Sequence, residues 1–461
     1  MMGKYLYGAS VQGIQEFIFE TNKLKEVIGA SELVKEIEKM AECENCEVLL
    51  NAAGNIKILF DDKESAKRLF LTLPKKISQS AYGITVSQAV VEINGDYPKP
   101  EDFAELEKRL KSKRNKPHIP LDYKLSITDK APKTAKSAYE KDKDDGYIDM
   151  ASKQKREAAR RVKSENDDFE KIANSKNKIA VIHADGNGLG TIVPEIAKAK
   201  LLKEFSQKLD KATKNAYEKA SEGIEKIRKV ILGGDDLSVV IDADYALKFT
   251  RDFLEYFEKE TQDLLTKGEF ASLGLKKLTA CAGIAICNVK YPVYYSYALA
   301  EELTAHAKKI SKQKNPKTPP SSLMFHNIQS GNFRDIDEIR QRELTVTDEE
   351  GNRVEFDFGP YYLNEAPKID DFLEICNLFM QKDSPKAKFR EWLKSLAYSR
   401  DYAEITLSRI NEMAASKWDG YKKADKVLRE LGVSFENPLN AENKTPLFEI
   451  IEIVSNTKAV K

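Results

Sequence analysis

The 461-residue sequence predicts an α+β protein: two ferredoxin-like units followed by a helical C-terminal region. Three observations carry that reading. The order strand, helix, strand, strand, helix, strand occurs twice, once within the first hundred residues and again from Asn177. A short sequence correspondence falls on the same element boundaries in both copies. From Asp370 to the end, the apolar spacing is mostly helical.

In the first unit, Lys4–Ser10 is an apolar strand. Ile14 to about Ala41 reads as one amphipathic helix, with Ile14, Phe17, Ile18, Leu24, Ile28, Leu33 and Ile37 on one face. Val48–Asn51 and Ile56–Phe60 flank the turn Ala52-Ala53-Gly54-Asn55, which is a hairpin signal. A helix over Glu64–Ser78 and a strand over Ile84–Ile93 complete residues 1–94 as a domain.

Residues 95–176 break the pattern with five prolines and many charges, and read as a linker with helices near Pro100–Lys113 and Ser152–Lys163. The basic stretch from Lys108 to Lys163 is first a solvated surface and second a face for RNA or another acidic partner.

Residues 177–330 repeat the first order: a strand at Lys178–Ala184, helix over roughly Glu195–Glu222, strands at Lys229–Leu232 and Leu237–Ile241, helix Ala243–Lys267, strand Lys277–Cys287 and helix Val293–Lys312. Residues 331–461 begin with a hairpin, Glu343–Phe358, turning at Glu350-Gly351-Asn352. A helical bundle with Trp392 and Trp418 in its core follows.

Composition limits the partners. Hydrophobic residues make up 41% and charged residues 32%, with a net charge of +1, so no global field marks a nucleic-acid coat or a membrane binder. No apolar run is long enough for a transmembrane helix, and the N-terminus lacks a secretory or myristoylation pattern, so a cytoplasmic protein is expected. Five cysteines agree with a reducing compartment. Cys43 and Cys46 have no second pair to complete a zinc site and read as structural.

Laid over each other, Ala9-Ser10-Val11-Gln12-Gly13 falls on Ala184-Asp185-Gly186-Asn187-Gly188, and Ala52-Ala53-Gly54-Asn55-Ile56 on Gly233-Gly234-Asp235-Asp236-Leu237. Where the second copy has three carboxylates, the first has Ser10, Gly54 and Asn55. The first copy is therefore expected to be a structural partner and the second the active one.

The chemistry follows from the fold. A carboxylate ending the first strand of such a sheet faces the hairpin tip. Asp185, Asp235 and Asp236 thus form a candidate catalytic and metal-ligating set for two magnesium or manganese ions. Gly233 and Gly234 leave the turn open to a nucleotide. Gly186, Asn187, Gly188 and Gly190 lead into a helix whose N-terminus suits a triphosphate. Lys308, near a helix end, is a candidate phosphate contact. His183 shares the strand face of Asp185 and reads as a packed core histidine.

Asp185 before a glycine-rich turn, and Gly233-Gly234-Asp235-Asp236 on a hairpin, resemble the palm domain of the large polymerase-cyclase subunit of type III CRISPR systems. Val11-Gln12-Gly13-Ile14-Gln15-Glu16-Phe17-Ile18 is similar to that family's first, inactive palm. The resemblance covers roughly residues 4–93 and 177–328. It implies a nucleotidyltransferase that converts ATP into cyclic or linear oligonucleotide messengers in antiviral defence, with Asp185, Asp235 and Asp236 as metal ligands. It also implies nucleoside triphosphates as ligands. Guide or target RNA and other CRISPR subunits are implied as partners, or a homodimer if the protein stands alone.

The family's HD nuclease is not expected, since the sequence opens at the first palm. Its inter-palm zinc module is not expected either, since residues 95–176 lack cysteine. An RNA-binding scaffold subunit is the alternative. A diguanylate cyclase is a more distant one, because Leu237 and Asp236 depart from that family's hairpin.

Overall fold

In a computed structural model of the chain, residues 3–41, 46–52, 54–115, 127–143, 145–162, 168–329 and 335–458 are described. Cys43 lies outside them. The first palm runs β1 (Lys4–Gln12), α1 (Ile14–Phe19), α2 (Leu24–Met40), β2 (Cys46–Ala52), β3 (Asn55–Phe60), α3 (Lys63–Ser80) and β4 (Thr85–Ile93). Its four-stranded sheet has the order β2-β3-β1-β4, so the first strand lies beside the hairpin as the ferredoxin-like topology requires.

The intervening segment holds α4 (Pro100–Arg114), the small hairpin β5 (Glu140–Asp142) and β6 (Gly146–Ile148), α5 (Met150–Arg161) and α6 (Phe169–Ile172). It packs on the first palm, α4 against β4 and β1, and α5 against α2. Several of its basic residues have partners inside the chain. Arg156 pairs with Glu26, Asp142 and Asp145, at 2.6, 3.0 and 2.6 Å, and Arg109 with Glu105 at 2.7 Å.

The second palm runs β7 (Lys178–Gly186), α7 (Leu189–Lys198), α8 (Leu202–Ala220), β8 (Ile227–Gly233), β9 (Asp236–Asp242), α9 (Ala246–Leu265), β10 (Ala280–Asn288) and α10 (Val293–Lys314). Then come β11 (Ser322–Asn327), α11 (Ile336–Arg342), β12 (Thr345–Thr347), β13 (Arg353–Glu355) and β14 (Tyr361–Tyr362). The sheet has six strands, β14-β11-β10-β7-β9-β8, because β11 adds in parallel to β10 and β14 closes the edge. Helices α12 (Ile369–Phe379), α13 (Lys386–Ser395), α14 (Arg400–Lys417), α15 (Tyr421–Glu430) and α16 (Leu447–Asn456) end the chain. Trp392 and Trp418 are buried there, and Trp418 packs edge-on against Phe379 and Phe435.

The expected long helices are broken. Ile14–Ala41 stops at Phe19 and restarts at Leu24, where the Thr21 hydroxyl accepts from the Lys23 amide at 3.1 Å and turns the chain. The expected Glu195–Glu222 helix starts earlier, at Leu189, and breaks at residues 199–201, where Lys200 sits at φ +60°.

These breaks make the two palms more alike. Each has a short helix and then a long one. Each short helix starts behind a left-handed glycine, Gly13 at φ 67° or Gly188 at φ 76°. Each hairpin carries a register shift at the same place, between Val48 and Leu50 and between Lys229 and Ile231. The palms dock reciprocally: α2 of the first runs along edge strand β8 of the second, and α8 of the second along edge strand β2 of the first. Ser31 on α2 donates to the Val230 carbonyl on β8. Among the described residues, no helix is long and apolar enough to cross a membrane.

Candidate active site

Strands β7 and β9 pair antiparallel with Ala184 opposite Leu237 and His183 opposite Ser238. One step further along that register, Asp185 ends opposite Asp236, and Asp235 occupies the turn. Carboxylate oxygens of Asp185, Asp235 and Asp236 lie within 4.8 Å of one another, the arrangement of a metal-ligand group. In the first palm the same register sets Ser10 opposite Asn55, so the first copy keeps the pairing and lacks the carboxylates.

Two glycines make this closeness sterically possible. A Cβ at Gly186 would lie 2.9 Å from the Asp235 Cβ and 2.8 Å from its Oδ2, so Asp235 occupies the space that the missing side chain leaves. Gly234 takes φ +61° at the tip, and its carbonyl accepts from the Thr213 hydroxyl of α8 at 2.6 Å.

The site is electrostatically strained without a cation. Burial, then the charges of Asp236 and Asp185, push the Asp235 carboxyl well above its ordinary value. Burial and Asp185 push Asp236 up to about 7. Such a donor set, all carboxylate and mutually repelling, fits hard divalent cations. Lys308 supplies the nearest positive charge: its ammonium donates to Asp185 and, at 2.9 Å, to the Gly186 carbonyl.

Helix α10 brings more than Lys308. Tyr297, Glu301, Thr304 and Lys308 recur at helical spacing on the face turned to β7. Thr304 donates to the His183 carbonyl at 3.0 Å. Glu301 is half-buried, and its charge helps raise Asp236. Its own carboxyl is raised by burial, while a hydrogen bond from Gln15 of the first palm opposes the rise. Tyr297 stacks on Phe19 of α1 with ring centroids 3.8 Å apart, which fixes the first palm over the second. Sequence reasoning singled out Lys308 on this helix and missed Glu301 and Gln15. The α10 period, read back from Lys308, contained the signal for Glu301.

The glycine-rich turn divides. Asn187 is committed to the fold: its amide donates to the Thr279 carbonyl at 2.7 Å, and its side chain to Thr279 Oγ1 at 3.0 Å and Cys281 Sγ at 3.4 Å. Gly188 caps α7, and a Cβ at Gly190 would meet open space. In the first turn of α7 the Thr191 amide donates to the Gly188 carbonyl at 3.0 Å, while those of Leu189 and Gly190 precede the first intrahelical bonds. His183 is buried and bonded to Ser238 Oγ at 3.1 Å; burial lowers it to about 4, so it stays neutral. A cleft of about 480 Å³ lies between the palms, bordered by Ser10, Gln12 and Gln15 on one side and Leu232, Gly233 and Asp236 on the other.

Residues 178–317 match the family described as Cas10/Cmr2, second palm domain. Comparison with curated proteins gives no match. Among solved structures, a Csm1–Csm4 cassette in complex with cA3 superposes with a TM-score of 0.55 at 13% identity, over 98% of this chain and 69% of that one. A Csm1–Csm4 cassette in complex with pppApA gives 0.52 at 13% identity, over 100% and 70%. Csm1 from T. onnurineus gives 0.50 at 15% identity, over 99% and 69%. In another alignment to a Csm1–Csm4 cassette this chain spans 54% of that chain. The likeness shows a shared fold of palm domains with a helical region.

Proposed function

We propose that this chain, whose second palm belongs to the Cas10/Cmr2 family, is a nucleotidyltransferase that joins ATP molecules into cyclic or linear oligonucleotides at Asp185, Asp235 and Asp236. The observation that carries this is the carboxylate triad, gathered at the end of β7 and the β8–β9 turn and absent from the matching place in the first palm. The related fold supports the choice of substrate, since Csm1–Csm4 cassettes have been seen with AMPPNP, pppApA and cA3.

Asp185, Asp235 and Asp236 would hold two magnesium or manganese ions, which when bound polarise the α-phosphate and favour an ionised ribose hydroxyl. Gly186 leaves Asp235 its place, and Lys308 orients Asp185. The Leu189 and Gly190 amides at the start of α7 are offered to phosphate oxygens. The inter-palm cleft is roomy enough to bring an acceptor nucleotide to Asp236. In the reaction, a ribose hydroxyl attacks the α-phosphorus of a second nucleotide. A P–O bond forms, the bond to pyrophosphate breaks, and the hydroxyl proton is lost to water.

The test is product identification by mass spectrometry after incubation with ATP or GTP and magnesium or manganese, with and without target RNA. Oligoadenylates from ATP support the reading, and a product from GTP alone would move it to a diguanylate-type cyclase. A place in a multi-subunit assembly is a second reading, favoured by the match to a Csm1–Csm4 subcomplex of a type III-A CRISPR-Csm interference complex. Co-purification with small RNA and further subunits tests it.

A further inference from the structure

A second cleft lies where the palms dock reciprocally, sharing part of its wall with the one at the triad. Its volume is about 470 Å³, and its walls come from α2 and β2 of the first palm and α8 and β8 of the second. Five lysines reach it: Lys35, Lys39, Lys203, Lys214 and Lys229. Two are matched locally, Lys35 with Glu32 at 3.3 Å and Lys214 with Asp210 at 2.5 Å. Lys39, Lys203 and Lys229 form no ion pair with a carboxylate among the described residues. The Lys229 ammonium sits 5.3 Å from the centre of the Tyr217 ring. Burial lowers the Lys229 amine, and the charges of Lys35 and Lys214 lower it further. This is the mirror image of the triad: five lysines from three elements, α2, α8 and β8, face three carboxylates, Glu32, Glu38 and Asp210.

We propose that this cleft binds a polyphosphate, either the 5′-triphosphate end of the growing oligonucleotide or the departing pyrophosphate. The inference rests on the nucleotidyltransferase reading for the source of the ligand, though its chemistry stands alone. Continuity favours it: Lys35, Glu38, Leu232 and Gly233 line both this cleft and the inter-palm cleft that reaches Asp236. A ligand anchored at Asp236 therefore has a direct way to the lysines. The lining has no aromatic side chain, so bases find no stacking platform, which disfavours a single-stranded nucleic acid. A compact cluster of ammonium groups suits a short, dense polyanion.

The experiment is calorimetric titration of the full chain in chelator, where the metal-free triad repels phosphates and no turnover occurs. Tripolyphosphate is expected to bind, more weakly as salt rises. The Lys39→Ala/Lys203→Ala/Lys229→Ala variant is expected to lose roughly tenfold or more of that affinity, as removal of three converging charges implies. Lys394→Ala/Lys417→Ala/Lys426→Ala, on the C-terminal helices, is the control and should bind as the parent does. A thermal melt shows that both variants fold. Preference for 5′-triphosphorylated over 5′-hydroxyl diadenylate identifies the chain end as the ligand, and equal binding of pyrophosphate identifies the leaving group. Equal loss in the control variant, no tripolyphosphate binding, or equal binding of 5′-hydroxyl RNA at the cleft overturns the proposal. A parent chain that releases pyrophosphate from ATP but binds no tripolyphosphate in chelator, or a triple-lysine variant that binds it as the parent does, sinks this proposal without touching the reading of the triad.

Discussion

Replacing Asp236 with Asn should stabilise the metal-free protein at pH 8. Burial and the neighbouring Asp185 raise the Asp236 carboxyl from its ordinary 3.8 to about 7. A rise of that size corresponds to roughly 4 kcal/mol between the two protonation states, taken as an upper bound. The sign follows from linkage. Well below pH 3.8 the carboxyl is protonated in both the folded and unfolded chain, and the shift costs nothing. Between about pH 4 and 7 the unfolded chain ionises while the folded one holds its proton, so stability falls as pH rises. Above 7 the full penalty is present. Asn keeps the shape and removes the charge. At pH 8 in chelator the variant should gain about 2–4 kcal/mol, seen in urea unfolding as a higher midpoint at unchanged slope. At pH 5 the gain should shrink to well under half. Saturating manganese should reverse the order, because only the parent retains the full ligand set. An Asp236→Asn variant no more stable than the parent at pH 8, or a gain equal at both pH values, would refute the reasoning.

Lys308→Met removes the ammonium that partners Asp185. Metal-free stability should drop, and the melting-temperature gain on adding manganese should exceed the parent's; a smaller gain contradicts the role given to Lys308. Gly186→Ala places a Cβ 2.9 Å from that of Asp235. It should cost about 1–3 kcal/mol by overpacking and lower turnover on the order of 100-fold by displacing Asp235; both are read by unfolding and pyrophosphate release. Trp392 is buried against the C-terminal core. Its replacement by Ala should cost about 3–5 kcal/mol and lower the melting of the helical region, measured by circular dichroism.

The carboxylate triad was legible in the sequence because ferredoxin-like topology puts the first strand beside the hairpin. Given a strand at Lys178–Ala184 and a turn at Gly233–Asp236, the closeness of Asp185 and Asp236 follows from strand order alone. The repeat was legible for the same reason, and the shared bulge and the shared left-handed glycines strengthen it. Other features depended on information outside any local period. The break at Thr21 is made by one hydroxyl turning on a nearby amide, inside a segment whose apolar spacing runs on through it. The parallel addition of β11 needs an open sheet edge. Asn187 looked like a phosphate contact from its place between glycines, yet Thr279 and Cys281 claim its side chain across the sheet. Gln15 reaches Glu301 only because Phe19 docks on Tyr297, a contact between residues far apart in sequence. Cys43 of the cysteine pair falls outside the described residues.

Pyrophosphate release from ATP, compared between the parent and Asp235→Ala/Asp236→Ala, tests the central claim most directly. It should be run with magnesium and with manganese, each with and without target RNA. Release by the parent in at least one condition, lost in chelator and in the double variant, is the predicted result. No release by the parent in any condition, or release that survives loss of both carboxylates, would contradict it.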